Sequence, residues 1–308
     1  MDYIKKNYLD YILVGDLLGA IKYLKSFSDC KELYQKYIDL FEFGNYRKYN
    51  VEEPFEEILK VYQKYYRDIF YLKICSTVSE KALKSNLAKV LEIRDCSEMD
   101  MQEIEKYVEE RFIGSKYYFL GGKTSGYYGP YIWTHSENKT FDVQLPSGIQ
   151  KYTIKMVDGF IMKSWMDYLS FGEIGTGGWV GEDGLIYCVV SSYDMNTENF
   201  KVSLLKHEAQ HSIDLLKRPD MTSEDLEYRA KLVELIYSEE RNMLNEFLRQ
   251  TKSFNARDGH SCAVKKLSKN FVRSMKHTKN YRIYPLQKFN QRHGNFLRKM
   301  KEKYYIII

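Results

Sequence analysis

The chain has 308 residues, 44% hydrophobic and 29% charged, with 28 Tyr, 16 Phe and a formal net charge of +5. It is too aromatic for a disordered chain and, at a mean hydropathy of -0.51, too polar for a membrane-embedded one. Its length is about twice the usual single-domain size, so more than one domain is expected.

No apolar run approaches the roughly 20 residues of a membrane span. The best N-terminal candidate, residues 12–20, is interrupted by Asp16, and Asp2 and Asp10 do not suit a secretory signal. A cytoplasmic protein without a transmembrane segment is expected. Five cysteines, Cys30, Cys75, Cys96, Cys188 and Cys262, are far apart and never in a CxxC pair. They argue against a disulfide framework and against a cysteine zinc site, leaving reduced, mostly buried thiols.

In chain order, residues 1–110 show apolar positions near helical spacing, such as Phe55, Ile58, Leu59, Tyr62, Tyr65 and Tyr66, and predict a helical N-terminal domain. From residue 116 the pattern changes to β-rich runs at 117–120, 127–134, 140–145 and 152–157, separated by Gly-Gly, Ser-Glu-Asn and Pro-Ser-Gly turn signals. A helix around 159–169, a strand at 185–191 and a long helix over 203–217 follow, the last stopped by Pro219. Thr222 or Ser223 caps the next helix, which has Glu224, Asp225 and Glu227 in its first turns and is expected to run towards Leu248. The fold class is α+β. Its parts are a helical domain 1–110, an α/β subdomain 111–219 and a helical C-terminal subdomain 220–308 with a basic tail.

That tail is uneven in charge. Residues 265–303 carry thirteen Lys and Arg against the single Glu302. Such a block suits a solvated helical face or an anionic partner, including nucleic acid. Two phosphate-binding motifs are absent: Gly122-Lys123-Thr124 has Tyr117 where a P-loop needs its first glycine, and in the Gly-rich stretch Gly172–Gly184 Val180 replaces the third glycine of a dinucleotide fingerprint.

The chemistry lies in His207-Glu208-Ala209-Gln210-His211. On a helix, histidines at i and i+4 share a face and their ring nitrogens converge on one metal ion, while the intervening Glu reaches water at that metal. Leu204, Leu205, Ala209, Ile213 and Leu216 form an apolar stripe that buries this helix. A zinc hydrolase needs a third protein ligand. Among Asp214, Asp220, Glu224, Asp225, Glu227 and Glu234, the choice falls on Glu227, where Ala230 gives clearance one turn on. Glu234 then stands behind a ligand, and the reverse assignment of these two stays open. Asp214 suits either the far nitrogen of a ligand histidine or a surface pair with Lys217 or Arg218. Two His and a carboxylate also suit non-haem iron, and the adjacent Glu208 favours Zn2+.

HEAQH followed sixteen residues later by the Glu of Glu227-Tyr228-Arg229-Ala230 resembles the gluzincin branch of the zincin metallopeptidases, with HExxH on one helix and ExxA or ExxD on the next. The resemblance covers residues 116–250 or so. It implies a zincin-like core, His207, His211 and Glu227 as zinc ligands, Glu208 as catalytic base and a peptide or protein substrate. It also implies an edge strand over the cleft, for which Gly177-Gly178-Trp179-Val180 is the candidate. The spacing from His211 to Glu227 is shorter than in thermolysin-like enzymes, and Lys231 stands where those have an acid. An oxyanion donor is usual, and His260 is the candidate, with Tyr228 and Tyr237 after it and His135, His277 and His293 further behind. The competing reading is a regulatory or nucleic-acid-binding protein with a zincin-like core and the basic block as its contact surface.

Overall fold

The computed structural model describes residues 2–181, 185–238, 262–267 and 269. The fold is mixed α and β, in keeping with an α+β class. Its internal packing separates two units, Met1–Ser136 with Val157–Thr176, and Glu137–Met156 with Gly177–Ile308.

The first unit begins with helices α1 (Asp2–Leu13), α2 (Leu17–Lys25), α3 (Lys31–Tyr37), α4 (Phe55–Tyr66), α5 (Ser76–Val90) and α6 (Met101–Phe112). Capping fixes two of these starts. The Asp16 carboxylate accepts from the Gly19 amide at the head of α2, and a side chain at position 19 would strike that carboxylate. Asp100 and Glu103 form a reciprocal capping box on α6. Short strands follow: β1 (Tyr118–Leu120), the hairpin β2 (Lys123–Thr124) and β3 (Tyr127–Tyr128), and β4 (Tyr131–Trp133). The expected strand over 127–134 is therefore divided, at Gly129-Pro130, where proline cannot donate to a ladder.

Six tyrosines, Tyr8, Tyr37, Tyr62, Tyr65, Tyr66 and Tyr168, are almost wholly buried in this unit. Burial of so many phenols is tolerable because their hydroxyls find partners. Tyr37 donates to Leu169 O at 2.6 Å, Tyr168 to Gln63 Oε1 at 2.8 Å and Tyr62 to Glu105 Oε1 at 2.8 Å. Glu105 Oε2 accepts from the Gly122 amide at 2.8 Å, tying α6 to the turn after β1.

The second unit contains all but the outer ends of β5 (His135–Leu145) and β6 (Gly148–Asp158), joined by a two-residue turn that only antiparallel neighbours allow. After β7 (Met162–Lys163) and α7 (Ser164–Ser170), both in the first unit, come β8 (Gly178–Val180) and β9 (Ile186–Val189). The sheet order is β5-β6-β9-β8, with β8 antiparallel to β9 in the register Gly178↔Cys188 and Val180↔Ile186. The helix expected over 159–169 starts only at Ser164. Gly159 takes a left-handed φ of 69°, and β7 is held to β4.

A π-helical turn at Asn199–Leu204 leads into α8 (Leu205–Lys217), and α9 spans Ser223–Tyr237. Leu205, Ala209 and Ile213 of α8 and Val233 of α9 pack with Val143, Leu145, Ile154, Met156, Ile186 and Cys188 of the sheet. At about 1.5–3 kcal/mol for each fully buried aliphatic side chain, this layer supplies most of what holds α8 in place. Leu216, expected on the buried stripe, is 83% exposed and stands outside the cluster that takes in Leu205, Ala209 and Ile213.

No disulfide joins the five cysteines. Only Cys188 is buried, against the expectation that most would be, and burial pushes its thiol up to about 12. Among the described residues no helix is long and apolar enough to cross a membrane.

Burial pushes the Glu105 carboxyl up to about 7, against the opposing hydrogen bonds from Tyr62 and Gly122. The folded chain therefore holds this proton more tightly than the unfolded one, so the stability it confers is full below the ordinary carboxyl range and is lost as pH rises through 7. Urea unfolding at pH 5 and pH 8 should show Glu105→Gln flattening this loss and raising stability at pH 8 by about 1–3 kcal/mol. An unchanged pH dependence would exclude Glu105 as its source.

Candidate metal centre

The centre is built by two consecutive helices of the second unit. Before the first, the Asp194 carboxylate accepts from Asn196 N and the Asp194 carbonyl from Thr197 Oγ1, a local turn that starts the helical run. Residues 218–222, with Pro219 among them, stop α8 and let α9 fold back along it. Thr222 caps α9 by accepting from Asp225 N at 3.2 Å. Lys266 then pairs with Asp225 at 2.6 Å.

The two histidines project from one face of α8, both buried, at 4% and 8% exposure. Their rings stand edge to face, with the two Nε2 atoms 2.9 Å apart. Glu227, two residues beyond the first acids of α9, brings Oε2 to 3.4 Å from His207 Nε2 and Oε1 to 3.3 Å from His211 Nε2. His207, His211 and Glu227 thus each offer one ligand atom, all within 4.8 Å of one another. Two atoms each about 2.05 Å from a tetrahedral ion stand about 3.3 Å apart, so the His-to-Glu separations suit such an ion and the His-to-His separation needs only slight opening.

Glu234 lies behind this set, its Oε1 2.6 Å from His207 Nδ1. A carboxylate there fixes the tautomer of the histidine and aims Nε2 at the ligand position. The same carboxylates also act on the proton of His207. Burial disfavours the His207 imidazolium, but the hydrogen bonds it donates to Glu227 and Glu234 outweigh it and push the group up to about 10. His211 Nδ1 is buried and has no hydrogen-bond partner among the described residues. Glu208, largely buried on the same helix, forms no hydrogen bond or ion pair with any described residue, so its oxygens are open to water.

Asp214 serves neither of its expected partners. Its carboxylate is taken by Arg229, with Nε to Oδ2 at 2.6 Å and Nη2 to Oδ1 at 2.9 Å, and by Gln210 Nε2 at 2.9 Å. Arg229 is two residues from Glu227, so this bidentate pair fastens α9 to α8 beside Glu227. The expected oxyanion donors fall elsewhere. His260, His277 and His293 lie outside the described residues, as does the basic block except Lys265, Lys266 and Lys269. Tyr228 packs with Ala263, Val264 and Leu267. Tyr237 lies beneath the Lys206 ammonium at 4.3 Å, and His135 bonds Thr134.

The segment Gly177–Val180 does form an edge. β8 ends the described sheet, and Gly178 lies so close to Leu204 and the Tyr187 carbonyl that any side chain there would clash. The glycine is what lets this strand pass the start of the histidine helix.

No protein-family model, no curated protein and no solved structure matches the chain.

Arg229→Met leaves the 2%-exposed Asp214 without its main counter-charge. Urea titration should show a loss of about 3 kcal/mol, and a loss under 1 kcal/mol would show that the pair does not fasten the helices. Glu234→Gln should fold normally and bind added Zn2+ about 10- to 100-fold more weakly, measured by competition with a chromophoric chelator.

Proposed function

We propose that this chain is a zinc-dependent metallopeptidase of the gluzincin type, with His207, His211 and Glu227 as ligands. The observation that carries the reading is the convergence of these three groups, with Glu234 held against the outer nitrogen of His207. Two imidazoles and one carboxylate make a donor set of borderline softness that suits Zn2+ and leaves a fourth position for water or substrate. When bound, Zn2+ supplies Lewis-acid chemistry, making water acidic near neutral pH and polarising a carbonyl.

The protein groups divide the remaining work. Glu208, in the first turn of α8 and free of other partners among the described residues, takes a proton from the attacking water and returns it to the leaving amine. Glu234 holds His207 in one tautomer, and the Arg229–Asp214 pair keeps α9 in register so that Glu227 reaches both imidazoles. β8, at the end of the sheet and beside the start of α8, is the strand to which an extended peptide would add by backbone hydrogen bonds. A zincin-like core is the arrangement this reading assigns to β5, β6, β8, β9, α8 and α9.

Elemental analysis should find about one zinc per chain in wild type and in Glu208→Gln, and none in His207→Ala. Peptide hydrolysis should fall at least 1000-fold in Glu208→Gln, about the loss expected when the general base is removed. Zinc-free wild type after reconstitution, or hydrolysis surviving in Glu208→Gln, would defeat the proposal.

A further inference from the structure

A cavity of about 640 Å³ opens at the β5 end of the described sheet, the end opposite β8. Its floor belongs to the core of the second unit: Val143 of β5, Phe200 and Val202 of the π-helical turn and Leu205 of α8 line it and are buried. Phe141 meets Phe200 edge to face at 5.6 Å, and Tyr237, at the end of α9, adds a third ring to the walls. A concave site of this size, apolar below with a few polar groups above, suits a small molecule. None of His207, Glu208, His211 and Glu227 lines it.

The charges on the lining say which kind of molecule. Half-buried Lys206 donates to Gln144 O at 2.9 Å and stands over the Tyr237 ring at 4.3 Å, and Lys201 donates to Asn196 O at 2.9 Å. Neither ammonium forms an ion pair with a described residue. Of the two acids on the lining, Asp142 is paired with Lys151 at 2.9 Å and Glu198 makes an interaction of its own. The charge left over is positive. A half-buried ammonium held only by a carbonyl and an aromatic face gains most from a carboxylate, through a charge-assisted hydrogen bond. Three rings in the walls favour an aromatic body, because offset and edge-to-face packing adds to the gain from buried area. An inorganic anion would leave the apolar floor wet, and a neutral apolar molecule would leave both lysines without a counter-charge.

We propose that this cavity binds a small aromatic carboxylic acid, its ring against Phe141, Phe200 and Leu205 and its carboxylate on Lys206 and Lys201. Such a site stands whether or not the chain hydrolyses peptides.

Calorimetric titration of the full-length chain with 2-naphthoate and with its neutral analogue 2-naphthamide tests the assignment. The acid should bind at one per chain and about tenfold more tightly than the amide. Lys206→Met should weaken 2-naphthoate about tenfold and leave 2-naphthamide unchanged. Lys201→Met, at an exposed position, is the second variant should Lys206→Met fail to fold, and should show the same selective loss at about threefold. His207→Ala should bind 2-naphthoate as wild type does. No binding of 2-naphthoate, equal affinity for acid and amide, or undiminished affinity in the lysine variants would overturn the site. Loss of binding in His207→Ala with full affinity in the lysine variants would place the acid at the metal centre and overturn it as well.

Discussion

Everything at the candidate centre depends on the packing of α9 against α8. The histidines are placed by their own helix, since four residues bring the second ring over the first. Their third partner is sixteen residues further on and reaches them only because the chain reverses at residues 218–222 and the two helices hold one register. That register is set by contacts of two kinds. Ala209, Ile213 and Val233 bury apolar surface against the sheet, which supplies energy without direction. Arg229 grips Asp214 through two hydrogen bonds, which supplies direction.

The cost of this arrangement is electrostatic. Glu208, Asp214, Glu227 and Glu234 come together in or beside one largely buried pocket, and buried carboxylates resist ionisation unless paired. Arg229 neutralises one of them. The imidazolium of His207 lies between two others, with a carboxylate at each ring nitrogen. A divalent cation would replace that proton with a larger charge at the same focus, so His207, His211 and Glu227 could hold one. Of the four, Glu208 alone forms no hydrogen bond or ion pair with a described residue.

The first unit solves a different problem with one residue type. Tyrosine fills its core, combining a large apolar ring with a hydroxyl that reaches a carbonyl, a glutamine or Glu105. These bonds cross long stretches of sequence, such as Tyr37 to Leu169. They knit residues 157–176 to the helices of the first hundred residues. Each unit thus relies on polar groups within its packing to select one arrangement among many that would bury similar area.

By itself the sequence determined the local chemistry: the helical and strand-rich stretches, the start of α9 at Thr222 or Ser223, and the placing of His207 and His211 on one helix face. These follow from periodicity and turn residues, which act over a few positions. It also pointed to Glu227 ahead of Glu234 among six acids, and only the distances across two helices show Glu227 near both Nε2 atoms and Glu234 at His207 Nδ1. Only the tertiary structure decided that Asp214 serves Arg229, that Leu216 faces solvent, and that residues 157–176 pack with the first unit. It alone brought Tyr193 beside Gly177. No spacing rule links Tyr193 to Gly177, because their approach comes from tertiary packing, and a contact of that kind leaves no periodic trace in the chain.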